Sequence, residues 1–232
     1  DYVNSSIHSV LAQWRPQVRY GIISVLEVPL PGVDHALTFL ASAYGQHVRL
    51  PAVKQLLHQY TQPKLPRSVL LDHDWKPARG TDQDGTARVL TWLPQASFTY
   101  AAIGRWGDEA FPGWVRLLPW QAYASYLEAT ARFENFIVTH RGSYNHSVID
   151  MAARGVRVLI PVFGGVPFVP WELIHDLDLS IFSTREELLA LLHMPVPASS
   201  GEKQLAACTD FAAIAALLDD YCRTQLIGRA VC

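Results

Sequence analysis

The chain has little charge and little sulfur. Only 17% of its 232 residues are Asp, Glu, Lys or Arg, and 19 basic against 21 acidic residues leave a net charge of −2. Nowhere do Lys and Arg run together, so there is no electrostatic footprint for nucleic acid, which argues against a polyanion as main partner. The three cysteines, Cys208, Cys222 and Cys232, are odd in number and lack the spacing of a metal site or a disulfide framework. They fit a reducing compartment. No apolar stretch approaches the roughly 20 residues that span a bilayer, and Asp1 to Arg15 lacks the basic, apolar and small-residue order of a signal peptide. A soluble, cytoplasmic protein is expected, and the sequons at Asn4 and Asn145 then carry no weight. The chain opens on Asp1 rather than Met, which leaves room for a partial chain. Internal repeats and low-complexity segments are also missing.

What is present is apolar patterning, in a chain that is 50% hydrophobic. That is ample for a buried core. Helices are expected at 5–14, at 35–45 behind an Asp34 cap, and at 51–60. Strands are expected at 20–28, stopped by Pro29 and Pro31, and at 68–72. The polar segment 76–85, with Asp84 and Gly85, reads as a loop. From Arg88 the pattern is regular, with strands at 88–93, 98–103, 115–118, 134–139, 156–162 and 179–182. Helical periodicity falls at 120–132, 144–154, 184–192 and 209–226. Ser183 and Thr184, each three residues ahead of a Glu, are capping-box candidates. Strands alternating with helices imply crossover connections. The expected fold is therefore α/β, a Rossmann-like, mostly parallel sheet with helices on both faces at 87–232, behind a smaller N-terminal α/β portion at 1–86.

Ligands of such sheets bind beyond the carboxyl ends of the strands, where helix N-termini present free N–H groups and a positive dipole end. The segment from Phe133 to Gly165 has that design. Its strand leads into the polar turn Thr139, His140, Arg141, Gly142 and Ser143, a helix starts near Tyr144, and Gly155 ends it. Gly142 permits close backbone approach, Ser143 can cap the helix or donate to a phosphate, and Arg141 can pair with one. Asp150, about two turns along, is placed to accept hydrogen bonds from ribose hydroxyls. His140, Arg141 and His146 otherwise form an ordinary solvated turn, and no metal is needed to explain them.

This stretch resembles the donor-binding half of GT-B glycosyltransferases over about residues 87–195. The likeness rests on an ordered series: FTYAAIG, VRLLPWQAYASYLEATAR, the polar turn, a helix ending in IDMAARG, the strand VRVLIPV, then FGGVP, LSIFS and TREELLALL. Asp150, Ala152, Ala153 and Gly155 match the family's pattern of an acid, small apolar residues and Gly ahead of a strand. The resemblance implies a nucleotide-diphosphate sugar as donor substrate, with no further cofactor. It places the ribose on Asp150 and the diphosphate along Gly142, Ser143, Tyr144 and Asn145, with Gly104, Thr139 and His140 around the donor, while Gly164 and Gly165 form either a simple turn or a loop closing over the sugar. The family's second acid, eight positions before Asp150, is here Gly142. The basic pair that follows its first strand has no counterpart after Arg88 to Leu93, so Arg105, Arg116 or Arg141 would stabilise the leaving group. The family's two-domain enzymes generally need more residues, so 1–86 would be a reduced acceptor domain or the enzyme is incomplete here.

Glu27 ends the first long strand, where an N-terminal domain would present a general base. The triplet Asp72, His73 and Asp74 has the look of a metal-holding motif but fits a strand-end turn better. Trp106, Trp114 and Trp120 could stack on a base or sugar, with interdomain packing as the plainer role. Two other readings stand beside sugar transfer: a deoxyribosyltransferase-like enzyme acting on N-glycosides, and a nucleotide-binding module without catalysis. The partner expected in each case is a small nucleotide-type molecule, with the acceptor and oligomeric state open.

Overall fold

The computed structural model describes residues 23–24, 35–38, 46–49, 62–72, 83–103, 112–119, 121–139, 146–196 and 211–223. Among them the strands are β1 (Ile23–Ser24), β2 (His35–Thr38), β3 (Gln46–Arg49), β4 (Leu65–Leu71), β5 (Thr99–Ile103), β6 (Val115–Leu118), β7 (Phe133–Ile137), β8 (Arg157–Phe163), β9 (Val166–Pro167) and β10 (Ser180–Phe182). The helices are α1 (Gln83–Trp92), α2 (Tyr123–Thr130), α3 (His146–Ala153), α4 (Trp171–Leu177), α5 (Arg185–His193) and α6 (Phe211–Tyr221). They fall in two compact units, Asp1–Val53 with Asp210–Cys232, and Lys54–Thr209.

The first unit holds a parallel sheet in the order β1, β2, β3. Residues 35–38, expected to begin a helix, are instead its central strand, paired through Leu37 to Ile23 on one side and to Val48 on the other. Pairing on both edges overrides a local helix signal. The helices expected at 5–14 and 51–60 lie outside the described residues.

The second unit is a Rossmann-like α/β unit. Six parallel strands run in the order β6, β5, β4, β7, β8, β10, with β9 antiparallel to β8. Counted from β4 this is 3-2-1-4-5-6, the doubly wound order in which the chain reverses direction between the first strand and the fourth. The boundary expected between residues 86 and 87 would separate β4 from this sheet. It does not hold, because β4 pairs with β5 on one edge and β7 on the other.

Successive residues of a strand point to opposite faces. Val69, Leu71, Tyr100, Ala102, Ile137, Leu159 and Phe182 therefore share one face and pack in a single cluster with Val89, Leu90 and Leu93 of α1 and its end, and Leu188 and Leu192 of α5. Leu70, Ala101, Phe136 and Ile160 turn the other way and are also buried. The connections β4 to β5 and β7 to β8 run in opposite directions across the sheet, so right-handed crossovers put α3 on the face opposite α1.

Residues 88–93, expected to be the sheet's first strand, belong instead to α1 and its exit. Val89, Leu90 and Leu93 are buried while Arg88 and Thr91 are exposed, a helical spacing that a short apolar run does not separate from a strand. Asp84 and Gly85, expected in a loop, also lie in α1. The strands expected at 98–103, 115–118, 134–139, 156–162 and 179–182 appear within a residue or two of those limits. No helix among the described residues is long and apolar enough to cross a membrane.

At the amino edge of the sheet, polar side chains tie strands to helices. The register of β4 against β7 shifts between Leu65 and Val69, where Arg67 takes a left-handed φ of 52°. The Arg67 N–H donates to Glu134 Oε2 (2.7 Å), the Glu134 N–H to Ser68 Oγ (3.0 Å), and Ser68 Oγ to the Leu65 carbonyl (2.6 Å). Lys64 Nζ donates to the Ala131 carbonyl (2.7 Å) and the Arg154 carbonyl (3.0 Å), capping the ends of α2 and α3. Burial lowers its pKa to about 8, against the pull of Glu134 in the other direction. Burial likewise lowers that of Arg157, whose Nε donates to Asn135 Oδ1 (2.9 Å).

Candidate functional site

The reversal of strand order lies between β4 and β7, and a sheet of this type opens a crevice at the carboxyl ends of those two strands. The chain places buried polar groups there. Asp72 follows β4 and Thr139 follows β7, and each is 1% exposed. The Asp72 backbone and the Thr139 side chain hold the ends of the strands together: the Asp72 N–H donates to the Ile137 carbonyl (3.0 Å), and Thr139 Oγ1 to the Asp72 carbonyl (3.2 Å). An acid and a hydroxyl buried at a sheet's edge cost free energy unless they are hydrogen-bonded, and both are tied into bonds within the protein here.

From β7 the chain passes to α3. Val148, Ile149, Met151 and Ala152 bury its apolar side against the sheet. The helix closes as expected at Gly155, whose φ of 69° lets its N–H donate to the Ala152 carbonyl (3.0 Å) and the Val156 N–H to the Met151 carbonyl (3.0 Å). These are the two bonds of a Schellman cap.

Asp150 is on the buried side of α3. Its side chain is 2% exposed, and Oδ1 lies 3.3 Å from Nη1 of Arg154, one turn on, which also donates to the Asp150 carbonyl at 2.8 Å. The sequence placed this carboxylate at a ribose; the structure shows it turned inward and ion-paired.

Gly164 and Gly165 form a two-residue turn with φ of 60° and 78°, joining β8 to the antiparallel β9. Left-handed backbone at both positions matches the twist of a tight hairpin and excludes most side chains. Both glycines are exposed at the same carboxyl edge as Asp72 and Thr139. Trp114 packs edge-on against Tyr100, 4.9 Å between ring centres, whereas Trp106 and Trp120 lie outside the described residues. Arg116 is exposed on β6, the edge strand.

The remaining candidates, Glu27, Gly104, Arg105, His140, Arg141, Gly142, Ser143, Tyr144 and Asn145, also lie outside the described residues. No group of three or more His, Cys, Asp or Glu among the described residues is placed to hold a metal. The sequence reading makes Asp72 part of a strand-end turn and does not pair Arg154 with Asp150. The place of Asp72 is legible in SVLLD, a strand ending in an acid, but 88–93 reads equally well as the sheet's first strand. The pair is legible as an acid and a base four apart on one helix.

No protein-family profile matches this chain, and no curated protein does. Solved structures do resemble it. The glycotransferase of kitacinnamycin is 14% identical, with a TM-score of 0.47 over 82% of this chain and 58% of that one. The calicheamicin glycosyltransferase is 13% identical, with a TM-score of 0.44 over 100% and 60%. A protein assigned as a UDP-N-acetylglucosamine 2-epimerase, from Listeria monocytogenes, is 12% identical, with a TM-score of 0.38 over 68% and 45%. The chain thus spans between 45% and 60% of the length of these proteins.

Proposed function

We propose that this chain is the donor-binding part of a glycosyltransferase that uses a nucleotide-diphosphate sugar. The observation that carries the reading is the reversal of strand order between β4 and β7 with Asp72 and Thr139 buried at its mouth. The sequence likeness over IDMAARG and VRVLIPV agrees with it. The donor lies across the carboxyl edge of the sheet, with its diphosphate facing the turn that the sequence offers for it, Gly142 to Asn145.

In the reaction proposed, an acceptor oxygen or nitrogen forms a bond to the sugar's anomeric carbon while the bond from that carbon to the diphosphate breaks. The electron pair leaves with the nucleoside diphosphate, and the acceptor's proton goes to a general base, the role the sequence offers for Glu27. Positioning and stabilisation of the leaving charge supply most of the acceleration. With β4 as the sheet's first strand, the cations that follow that strand in the sequence are Lys76 and Arg79, which join Arg105 and Arg141 as candidates for that task.

A second reading is favoured by one observation. Asp150 already has an ionic partner and 2% exposure, which suits a nucleotide-binding module in which this acid serves the fold. Titration calorimetry with nucleoside diphosphates and free nucleosides, followed by an assay of donor hydrolysis, separates the two. Sugar transfer predicts preferential binding of diphosphates and slow donor hydrolysis. Binding without turnover supports the module. Preference for free nucleosides contradicts both.

A further inference from the structure

At the carboxyl end of β8 the guanidinium carbon of Arg88 lies 4.7 Å from the centre of the Phe163 ring. Arg88 is exposed although its neighbours Val89 and Leu90 are buried, and no described carboxylate pairs with it. An aromatic face therefore holds this cation, leaving its N–H donors unneutralised. The ring is itself held edge-on by Trp92 and by Phe168, each 5.6 Å away between ring centres. A cation on so fixed a support has little freedom left to lose when it meets an anion.

Two features tie this cation to the ligand edge. Phe163 is the last residue of β8, the strand beside β7, so Arg88 stands one strand from the reversal of strand order. Immediately beyond it, Gly164 and Gly165 leave the backbone open, with no described atom within 4 Å of where either Cβ would stand. The guanidinium fork matches two phosphate oxygens at once, which an ammonium does not.

We propose that Arg88 is the cation that meets the diphosphate of the bound nucleotide, with Phe163 as its platform and the Gly164–Gly165 turn leaving room for the ligand. This rests on the nucleotide-diphosphate reading given above. It assigns the leaving-group contact to a helix residue rather than to the turn after β7.

The test titrates the full chain with a nucleoside, its diphosphate and inorganic pyrophosphate. Arg88→Met is expected to weaken diphosphate and pyrophosphate binding about tenfold while leaving nucleoside affinity and the unfolding midpoint unchanged, because the residue lies on the surface. Arg88→Lys, which keeps the charge but not the fork, falls between. If wild type prefers the diphosphate and Arg88→Met binds it equally well, Arg88 merely covers an aromatic ring and the proposal is overturned. If no nucleotide binds yet pyrophosphate does so in an Arg88-dependent way, the anion site stands and the donor reading fails. If neither binds, both fail.

Discussion

Burial decides what the key side chains cost. Asp150 and Arg154 are each 2% exposed at the side chain, so removing one partner leaves an uncompensated charge inside the protein. Asp150→Ala is expected to cost about 3 kcal/mol of stability, and Asp150→Leu combined with Arg154→Met to recover most of it, as chemical denaturation would show. Arg67 presents the opposite case. Its left-handed φ of 52° costs about 1–2 kcal/mol, more than the roughly 0.5–1 kcal/mol of chain entropy a glycine would add. Arg67→Gly should therefore raise the unfolding midpoint by about 1–3 °C, since the bond from its N–H to Glu134 is kept. Lys64 couples stability to pH. Its pKa is lowered to about 8 in the fold against 10.5 unfolded, so between those values the unfolded chain holds more of this proton and stability rises with pH. Unfolding midpoints of wild type relative to Lys64→Gln should accordingly climb from pH 8 to pH 10 and run level below pH 7.

Helix ends are where sequence and structure agree best. Thr184 Oγ1 accepts from the Glu187 N–H at 3.2 Å and Glu187 Oε2 from the Thr184 N–H at 3.2 Å, while the Ser183 N–H also turns to Glu187 at 2.6 Å. Of the two capping boxes read from the sequence, one forms, since a helix has one N-cap. Glu187→Ala should cost about 1 kcal/mol by denaturation. Gly155→Ala should cost a similar amount, because the cap of α3 needs the left-handed backbone that alanine resists. These ends were legible because capping chemistry is local. The stretch 88–93 was not, because Val89, Leu90 and Leu93 satisfy a strand or a helix equally until the rest of the sheet takes its place. Residues 35–38 were misread for the same reason, their strand being fixed by neighbours distant in sequence.

For the whole molecule, parallel order was foreseeable from strands separated by helices, whereas the choice of first strand was not. Moving that role from 88–93 to β4 changes the chemistry, for it sets Asp72 opposite Thr139 at the point where the chain turns back on itself. The pairing of Asp150 with Arg154 depends on burial, which spacing along a helix does not reveal. The claim on which the account stands is that a nucleotide seats between the ends of β4 and β7. Hydrogen exchange of the full chain, read with and without a saturating nucleoside diphosphate, tests it directly. Slowed exchange in peptides covering Asp72 and Val138 to Ser147, with β10 unchanged, is the expected result. Slowing confined to the amino edge around Lys64 to Ser68, or none at millimolar ligand, would contradict it.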